Sequence, residues 1–373
     1  MTSRAKNAGY TKEYNRLQIL RLLRQQPVSR AELARLTGLT RAAISLIVEE
    51  LIEEGMVKES AQSADAHTRG RTPVLLKLHP EGAYALGVRL TRKDYAIGLC
   101  NFRGHVVASR QQPLPKGPQQ LVEHLADDAQ MLLQENGVPR SKLLGVGVSA
   151  PGPVDAATGM LLNPPGFDAY HNFPLCSQLQ QRLGLPILLE NDANAAALYN
   201  YMDGQFAGKE NFLLLMVDSG IGSGVIWNGR LLRGCELGHT SVDYRGPKCA
   251  CGNWGCLETV ASVPKILKAF PGYDSWEMLL ESENGDNALK RQAEFLAAAL
   301  VNFTNLLPVE TILLAGQLHH CCARLAPMIQ GALRGRTLSL GAEDIPILPA
   351  LHTSDGALRE ACSVVIAQYL RIS

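Results

Sequence analysis

The spacing of apolar residues changes character about eighty residues into the chain. Up to that point it is mostly helical. Leu17, Leu20 and Leu23 form one stripe over residues 12–24, and Pro27 stops it. Ser29-Arg30-Ala31-Glu32 reads as a capping box, in which the Ser29 side chain accepts from the backbone at Glu32 and Glu32 reaches back. A second helix is therefore expected to about Thr37, with Gly38 making the turn. A third helix opens at Thr40. Its apolar positions Ile44, Ile47, Val48, Leu51 and Ile52 bury one face and leave the other free, and Gly55 ends it. Two strand-like runs, MVKES and TPVLLKL, then flank a polar stretch that carries Arg69-Gly70-Arg71.

Beyond residue 80 the apolar runs are short and strand-like. GAYALGVRLTRKDYAIGL at 82–99 predicts strand, turn, strand, and LLGVGVSAPGPVD at 143–155 predicts a strand ending in a Gly/Pro loop. PILLENDANAAALY at 186–199 runs from a strand into a helix that begins near Asp192. NFLLLMVDSGIGSGVIWNGRLL at 211–232 is strand, Gly-rich turn, strand, and TILLAGQL at 311–318 is a buried strand ending at Gly316. Strands alternating with helical stretches predict an α/β body of two lobes around a cleft.

The front pattern is that of a helix-turn-helix with a wing. Thr40, Arg41, Ala42 and Ser45, at the start of the third helix, are the candidates for base edges in a major groove. Arg69 and Arg71 on the wing suit phosphates or a narrow minor groove. A three-helix protein-interaction domain is the alternative. Charge separates the two: residues 1–78 hold 13 Lys/Arg against 8 Asp/Glu, a net +5, while the rest of this 373-residue chain carries −4. A basic front on an acidic body favours a polyanion at the front alone. No apolar run reaches about 18 residues, and the first residues are basic and polar, so neither a spanning helix nor a secretory leader is expected and the location is read as cytoplasmic.

The nine cysteines are odd in number and unevenly spaced, which is unlike a disulfide framework. Three of them stand in LGHTSVDYRGPKCACGNWGCLE. His239, Cys249, Cys251 and Cys256 supply one imidazole and three thiolates, a full tetrahedral set for a structural Zn2+ with no position left for water. Cys249 and Cys251 are not spaced as a redox pair. Glu190-Asn191-Asp192-Ala193-Asn194 puts a carboxylate and amides at a strand-to-helix junction, where they serve either a polyhydroxylated ligand or the helix cap. The turn Ser219-Gly220-Ile221-Gly222-Ser223-Gly224 can approach a phosphate, but it is neither a P-loop nor a dinucleotide fingerprint.

The CELGH and CACGNWGCLE runs, the APGPVD loop, ENDAN and the SGIGSG turn together resemble the ROK family of repressors and sugar kinases. A winged helix-turn-helix in front resembles its repressor branch. The resemblance implies an actin/hexokinase-like (ribonuclease H-like) fold in three parts. These are a DNA-binding domain at 1–80, a first lobe at 81–200 plus 355–373, and a second lobe at 201–354 with the zinc loop and a dimerisation surface. It implies sugar contacts from Gly152, Asn191, Asp192, Glu236, His239 and Glu258, with Asp192 at the position of the base in kinases. His239 then serves zinc with one ring nitrogen and the sugar with the other. Implied partners are operator DNA, a sugar or sugar phosphate effector, and a second or further copies in a homodimer or homotetramer.

One departure bears on catalysis. Kinases of the family carry Asp and then Gly-Gly-Thr at the first strand-turn, whereas this chain has Arg89 and then Thr91, Arg92 and Lys93. No useful phosphotransfer is expected, although Asp192 and the second Gly-rich turn remain. The alternatives are an active ATP-dependent sugar kinase with an added DNA-binding domain, and a repressor controlled by a protein partner.

Overall fold

The structure is a computed structural model that describes residues 8–60, 74–203, 206, 209–338 and 344–372. The chain divides into two compact units, one running to Asn191 and resuming at Ala357, the other spanning Asp192–Gly356.

The first unit opens with α1 (Ala8–Gln25), β1 (Val28–Ser29), α2 (Arg30–Thr37), α3 (Arg41–Glu53), β2 (Val57–Ser60) and β3 (Leu75–Leu78). Local signals set the helix limits. The Ser29 side chain accepts from the Glu32 backbone at 3.2 Å, and Gly38 closes α2 in the left-handed region at φ 72°. Thr40 caps α3 by accepting from the Ala43 backbone at 3.2 Å. Half of the expected capping box is absent. The Glu32 carboxylate does not reach back to the cap; it takes Arg35 on both oxygens, at 2.6 and 3.0 Å. A two-pronged guanidinium offers it more than one backbone N–H. The strands join in a three-stranded antiparallel sheet, β1-β3-β2, one strand more than the two expected of the wing. Arg69 and Arg71 lie outside the described residues.

The rest of this unit holds β4 (Tyr84–Leu90), β5 (Asp94–Asn101), β6 (Val106–Pro113), α4 (Pro118–Glu135), β7 (Leu143–Ala150), the short pair β8 (Val154–Asp155) and β9 (Met160–Leu161), α5 (Leu175–Leu183) and β10 (Ile187–Asn191). The sheet order is β10-β7-β4-β5-β6, parallel on one side and antiparallel on the other. Leu86 and Val88 of β4 join Val146 and Val148 of β7 and Leu121, Leu125 and Leu179 of the helices in one core.

The second unit holds α6 (Asp192–Met202), β11 (Phe212–Val217), β12 (Ile221–Trp227), β13 (Arg230–Leu232), α7 (Leu257–Ala261), α8 (Val263–Ala269), α9 (Trp276–Glu281), α10 (Gly285–Leu306), β14 (Thr311–Gly316), α11 (Leu318–Leu333) and β15 (Ile347–Pro349). Its sheet, β13-β12-β11-β14-β15, repeats the order of the first: three antiparallel strands and then two parallel ones. Leu213, Leu215 and Leu314 pack with Leu296, Leu300, Leu325 and Ile329 beneath it. Both sheets are covered on two faces, so their central strands read as nearly unbroken apolar runs.

The last helix, α12 (Gly356–Tyr369), returns to the first sheet. Glycine admits it: a Cβ on Gly147 would stand 2.0 Å from the Ala361 carbonyl oxygen, and one on Gly87 2.6 Å from that of Leu358. This approach also brings Cys362 to Cys100 of β5, and the two form a disulfide. One pair is no framework, but it is one more than the uneven cysteine spacing led us to expect. No helix among the described residues is long and apolar enough to cross a membrane.

Candidate functional site

The His/Cys loop follows β13. A 3-10 turn over Leu237–His239 fits against β12 because residue 238 is glycine: a Cβ there would stand 2.0 Å from the Ile221 carbonyl oxygen. Cys249 and Gly252 close a tight turn, with Gly252 donating to Cys249 at 3.1 Å. Gly255, at φ 61°, passes so close to Asp243 that no side chain fits, and Cys256 then leads into α7. Asn253 steadies the histidine end by donating to the His239 carbonyl at 3.2 Å.

The four ligand atoms lie within 4.8 Å of one another. Cys249 Sγ is 3.6 Å from His239 Nδ1, and Cys251 Sγ is 3.7 Å from Cys256 Sγ. Tetrahedral bonds of about 2.3 Å to sulfur and about 2.05 Å to nitrogen put ligand atoms about 3.6–3.8 Å apart. The donor set therefore fits a metal ion in type and spacing. Burial, and after it the neighbouring thiols, pushes Cys256 up to about 12, whereas the Asn253 backbone holds Cys251 below the usual thiol range. A cation resolves that conflict by accepting both as thiolates.

In the second unit the remaining candidates gather around the start of β12. Glu258 accepts from the Ile221 backbone N–H at 2.9 Å, and its Oε2 stands 2.7 Å from where a Cβ on Gly220 would be. The carboxylate thus seals one N–H of the Gly-rich turn. Asp192 heads α6, accepts from the Ala193 N–H at 2.8 Å, and faces Gly222 with Oδ1 at 3.9 Å from its Cβ direction. Ser223 ties the Glu236 segment to β12, donating to the Cys235 carbonyl at 2.7 Å and accepting from the Leu237 N–H at 3.2 Å. In the first unit the Asn191 amide nitrogen lies 2.9 Å from the Cβ direction of Gly152, so a larger residue there would push that amide aside.

The turn after β4 is closed by side chains. Asp94 accepts from Arg89 at 3.0 Å, from the Thr91 hydroxyl at 2.5 Å and from Gln111 at 2.6 Å. Thr91 first, with Gln111 and Arg89 adding to it, holds Asp94 below the usual carboxylate range. Asp218, at the end of β11, accepts from the Gln317 N–H at 3.1 Å, and burial raises its carboxyl.

On the winged domain Thr40, Arg41 and Ala42 are exposed at the start of α3 and Ser45 is half-buried. Leu46, exposed at 59%, extends that face and was not singled out from the sequence, where it reads as one more apolar position. Also unforeseen is the attachment of the domain. Arg21 donates to the carbonyls of Leu370 and Arg371, both at 2.7 Å. Arg24, only 5% exposed, donates to Phe102 at 2.7 Å and Arg103 at 3.2 Å. Phe102 and Tyr369 meet edge to face at 5.9 Å. The only sequence signal was two arginines three apart on the helix that carries the Leu17–Leu20–Leu23 stripe.

A winged helix-turn-helix docked on an α/β body of two sheets with matching strand order defines the class of protein. The pattern of the ROK family matches residues 85–366, so the chain belongs to that family, and the pattern of winged helix-turn-helix DNA-binding domains matches residues 12–58. The chain is similar to the xylose repressor of Bacillus subtilis, at 27% identity over 97% of each chain. Among solved structures it is similar to a ROK family transcriptional regulator, a homologue of the Escherichia coli Mlc protein, at TM-score 0.80, 26% identity and 97% of each chain. It is also similar to the ROK hexokinase of Thermus thermophilus at TM-score 0.63 and 28% identity, over 75% of this chain and 97% of that one.

Proposed function

We propose that this protein is a sugar-responsive transcriptional repressor. The observation that carries the reading is the winged helix-turn-helix, held by Arg21 and Arg24 against the body of a ROK protein, with the first turn of α3 left exposed. Thr40, Arg41, Ala42 and Ser45 read base edges, and Arg69 and Arg71 meet the backbone or minor groove. A homodimer or homotetramer places two such helices on a near-palindromic operator in the cytoplasm. A sugar or sugar phosphate is held by Gly152, Asn191, Asp192, Glu236, His239 and Glu258. The domain limits we assign are 1–80, 81–200 with 355–373, and 201–354.

The metal is Zn2+ in a structural role. Four protein ligands leave no open position, and the ion supplies folding energy to the loop. Because Nδ1 of His239 faces the sulfurs, its Nε2 is left for the sugar. The protein is not a kinase by this reading. Arg89 and Thr91 close the first phosphate turn onto Asp94, and the Glu258 carboxylate sits where a second phosphate would need N–H groups. For a sugar to weaken DNA binding a hundredfold, it must bind the low-affinity state better by about 2.7 kcal/mol. A thermal-shift screen of sugars and sugar phosphates, run beside a coupled ATP-consumption assay, tests the reading. A stabilising sugar with no turnover is expected; turnover above about 1 s⁻¹, the low end of kinase rates, overturns it in favour of a kinase with an added DNA-binding domain.

A further inference from the structure

The outer face of α3 carries a side chain that can neither donate nor accept a hydrogen bond. At about 3.6 residues per turn, Ala42, Leu46, Glu49 and Glu53 share the side opposite the buried Ile44, Ile47, Val48 and Leu51. All four are exposed, and Leu46 is the one large apolar side chain among them, at 59% exposure. We propose that Leu46 reads the 5-methyl group of a thymine, so that each operator half-site holds an A·T pair beneath the first turns of α3. The inference rests on the DNA-binding reading above and adds to it the base that this side chain selects.

The neighbours of Leu46 leave that contact to it. Thr40 is committed to the helix cap, its hydroxyl oxygen accepting from the Ala43 N–H at 3.2 Å, and Ser45 is half-buried. Beyond Leu46 the face turns acidic with Glu49 and Glu53, which DNA phosphates repel. Glu50 and Glu54 add little to that charge, because Lys12 and Arg16 of α1 hold them at 2.7 and 2.8 Å. The helix therefore meets a polyanion by its first turns, where Arg41 and the positive end of the backbone dipole lie. Leu46 is the last side chain of that face before the acidic stretch. In the major groove every base pair offers donors and acceptors, which leucine cannot use, and thymine adds a methyl group, which it can. Ala42, one turn earlier on the same side, widens the apolar surface against which that methyl packs. The net positive charge of residues 1–78 favours DNA over an apolar protein surface as the occupant of this face.

The test uses the full chain and a DNA fragment selected from a random pool by its affinity for that chain. Each thymine of one half-site is replaced in turn by deoxyuridine, which lacks the 5-methyl group and is otherwise the same. Affinity is read by fluorescence anisotropy, at one salt concentration low enough for every variant to bind. At one thymine the wild type should lose about fourfold, the worth of one buried methyl group. In Leu46→Ala the same replacement should cost less than about twofold, while Leu46→Met keeps the wild-type loss. Leu46 is exposed, so both variants should fold, which circular dichroism checks. A half-site in which no thymine methyl is felt, or a loss that persists in Leu46→Ala, overturns the inference and leaves the DNA-binding reading standing. A wild-type chain that selects no sequence from the pool overturns both.

Discussion

Replacing Arg24 by Ala should release the winged domain from the body without unfolding the body. In the native protein its guanidinium is buried and donates to the carbonyls of Phe102 and Arg103. Hydrogen bonds from a charged group contribute about 1.5–3 kcal/mol each, and an orphaned buried carbonyl costs about 1–3 kcal/mol. The Arg103 contact is the longer and wetter of the two, so a total near 3 kcal/mol is reasonable. That is about a hundredfold in the docking equilibrium. The consequence is regional, because Arg21 still holds the domain to the carbonyls of Leu370 and Arg371. Amide hydrogen exchange reads it directly. Amides of α1 should exchange about a hundredfold faster, while those of β4 and β7 keep their wild-type rates. Arg24→Lys should fall between, since an ammonium reaches one carbonyl and not both. Arg24→Ala should also lose most of its sugar-dependent release from DNA, because a coupling of about 2.7 kcal/mol cannot cross a contact that has been opened. Unchanged α1 exchange in Arg24→Ala would refute this account of the attachment.

Other parts of the structure make separate predictions. Cys256→Ser, or a strong chelator, should abolish metal binding at the His239 loop and lower the melting temperature, as read by native mass spectrometry and calorimetry; a full metal complement in the variant would remove the loop as the site. Gly147→Ala should destabilise the chain by more than about 3 kcal/mol in urea titration, because its new Cβ would meet the Ala361 carbonyl oxygen at 2.0 Å and lift α12 from the sheet. Asp94 is held below the ordinary Asp value, chiefly by Thr91, so its contribution is present above about pH 4 and is lost as pH falls through its lowered folded value. The stability gap between wild type and Asp94→Asn should therefore be seen at pH 7 and close in acid; a gap that persists at pH 2 contradicts the assignment.

What the sequence disclosed and what it hid divide along chain distance. The Ser29, Gly38 and Thr40 signals act within four residues, and α2 begins and ends, and α3 begins, where those residues place them. The clustering of His239 with the three cysteines was legible for the same reason, the four residues standing within eighteen positions. Glu32 misled because two partners within three residues compete for one carboxylate, and spacing alone does not rank them. The longer links were not legible. Arg21 and Arg24 meet carbonyls 349 and 78 residues away, and Cys100 meets Cys362 across 262. The glycines at 87 and 147 read as weak points in strands, and they are where α12 lies down on the first sheet.

The central claim is that a sugar controls DNA binding, and one titration tests it most directly. The full-length protein is bound to a DNA fragment selected from a random pool by its own affinity, and the sugar or sugar phosphate that most raises its melting temperature is added. The account predicts release from the fragment with at least a hundredfold loss of affinity, no ATP required, and no release in Asp192→Asn. A ligand that saturates the protein yet leaves its affinity for the fragment unchanged would contradict it, since a ligand that binds both states equally shifts nothing.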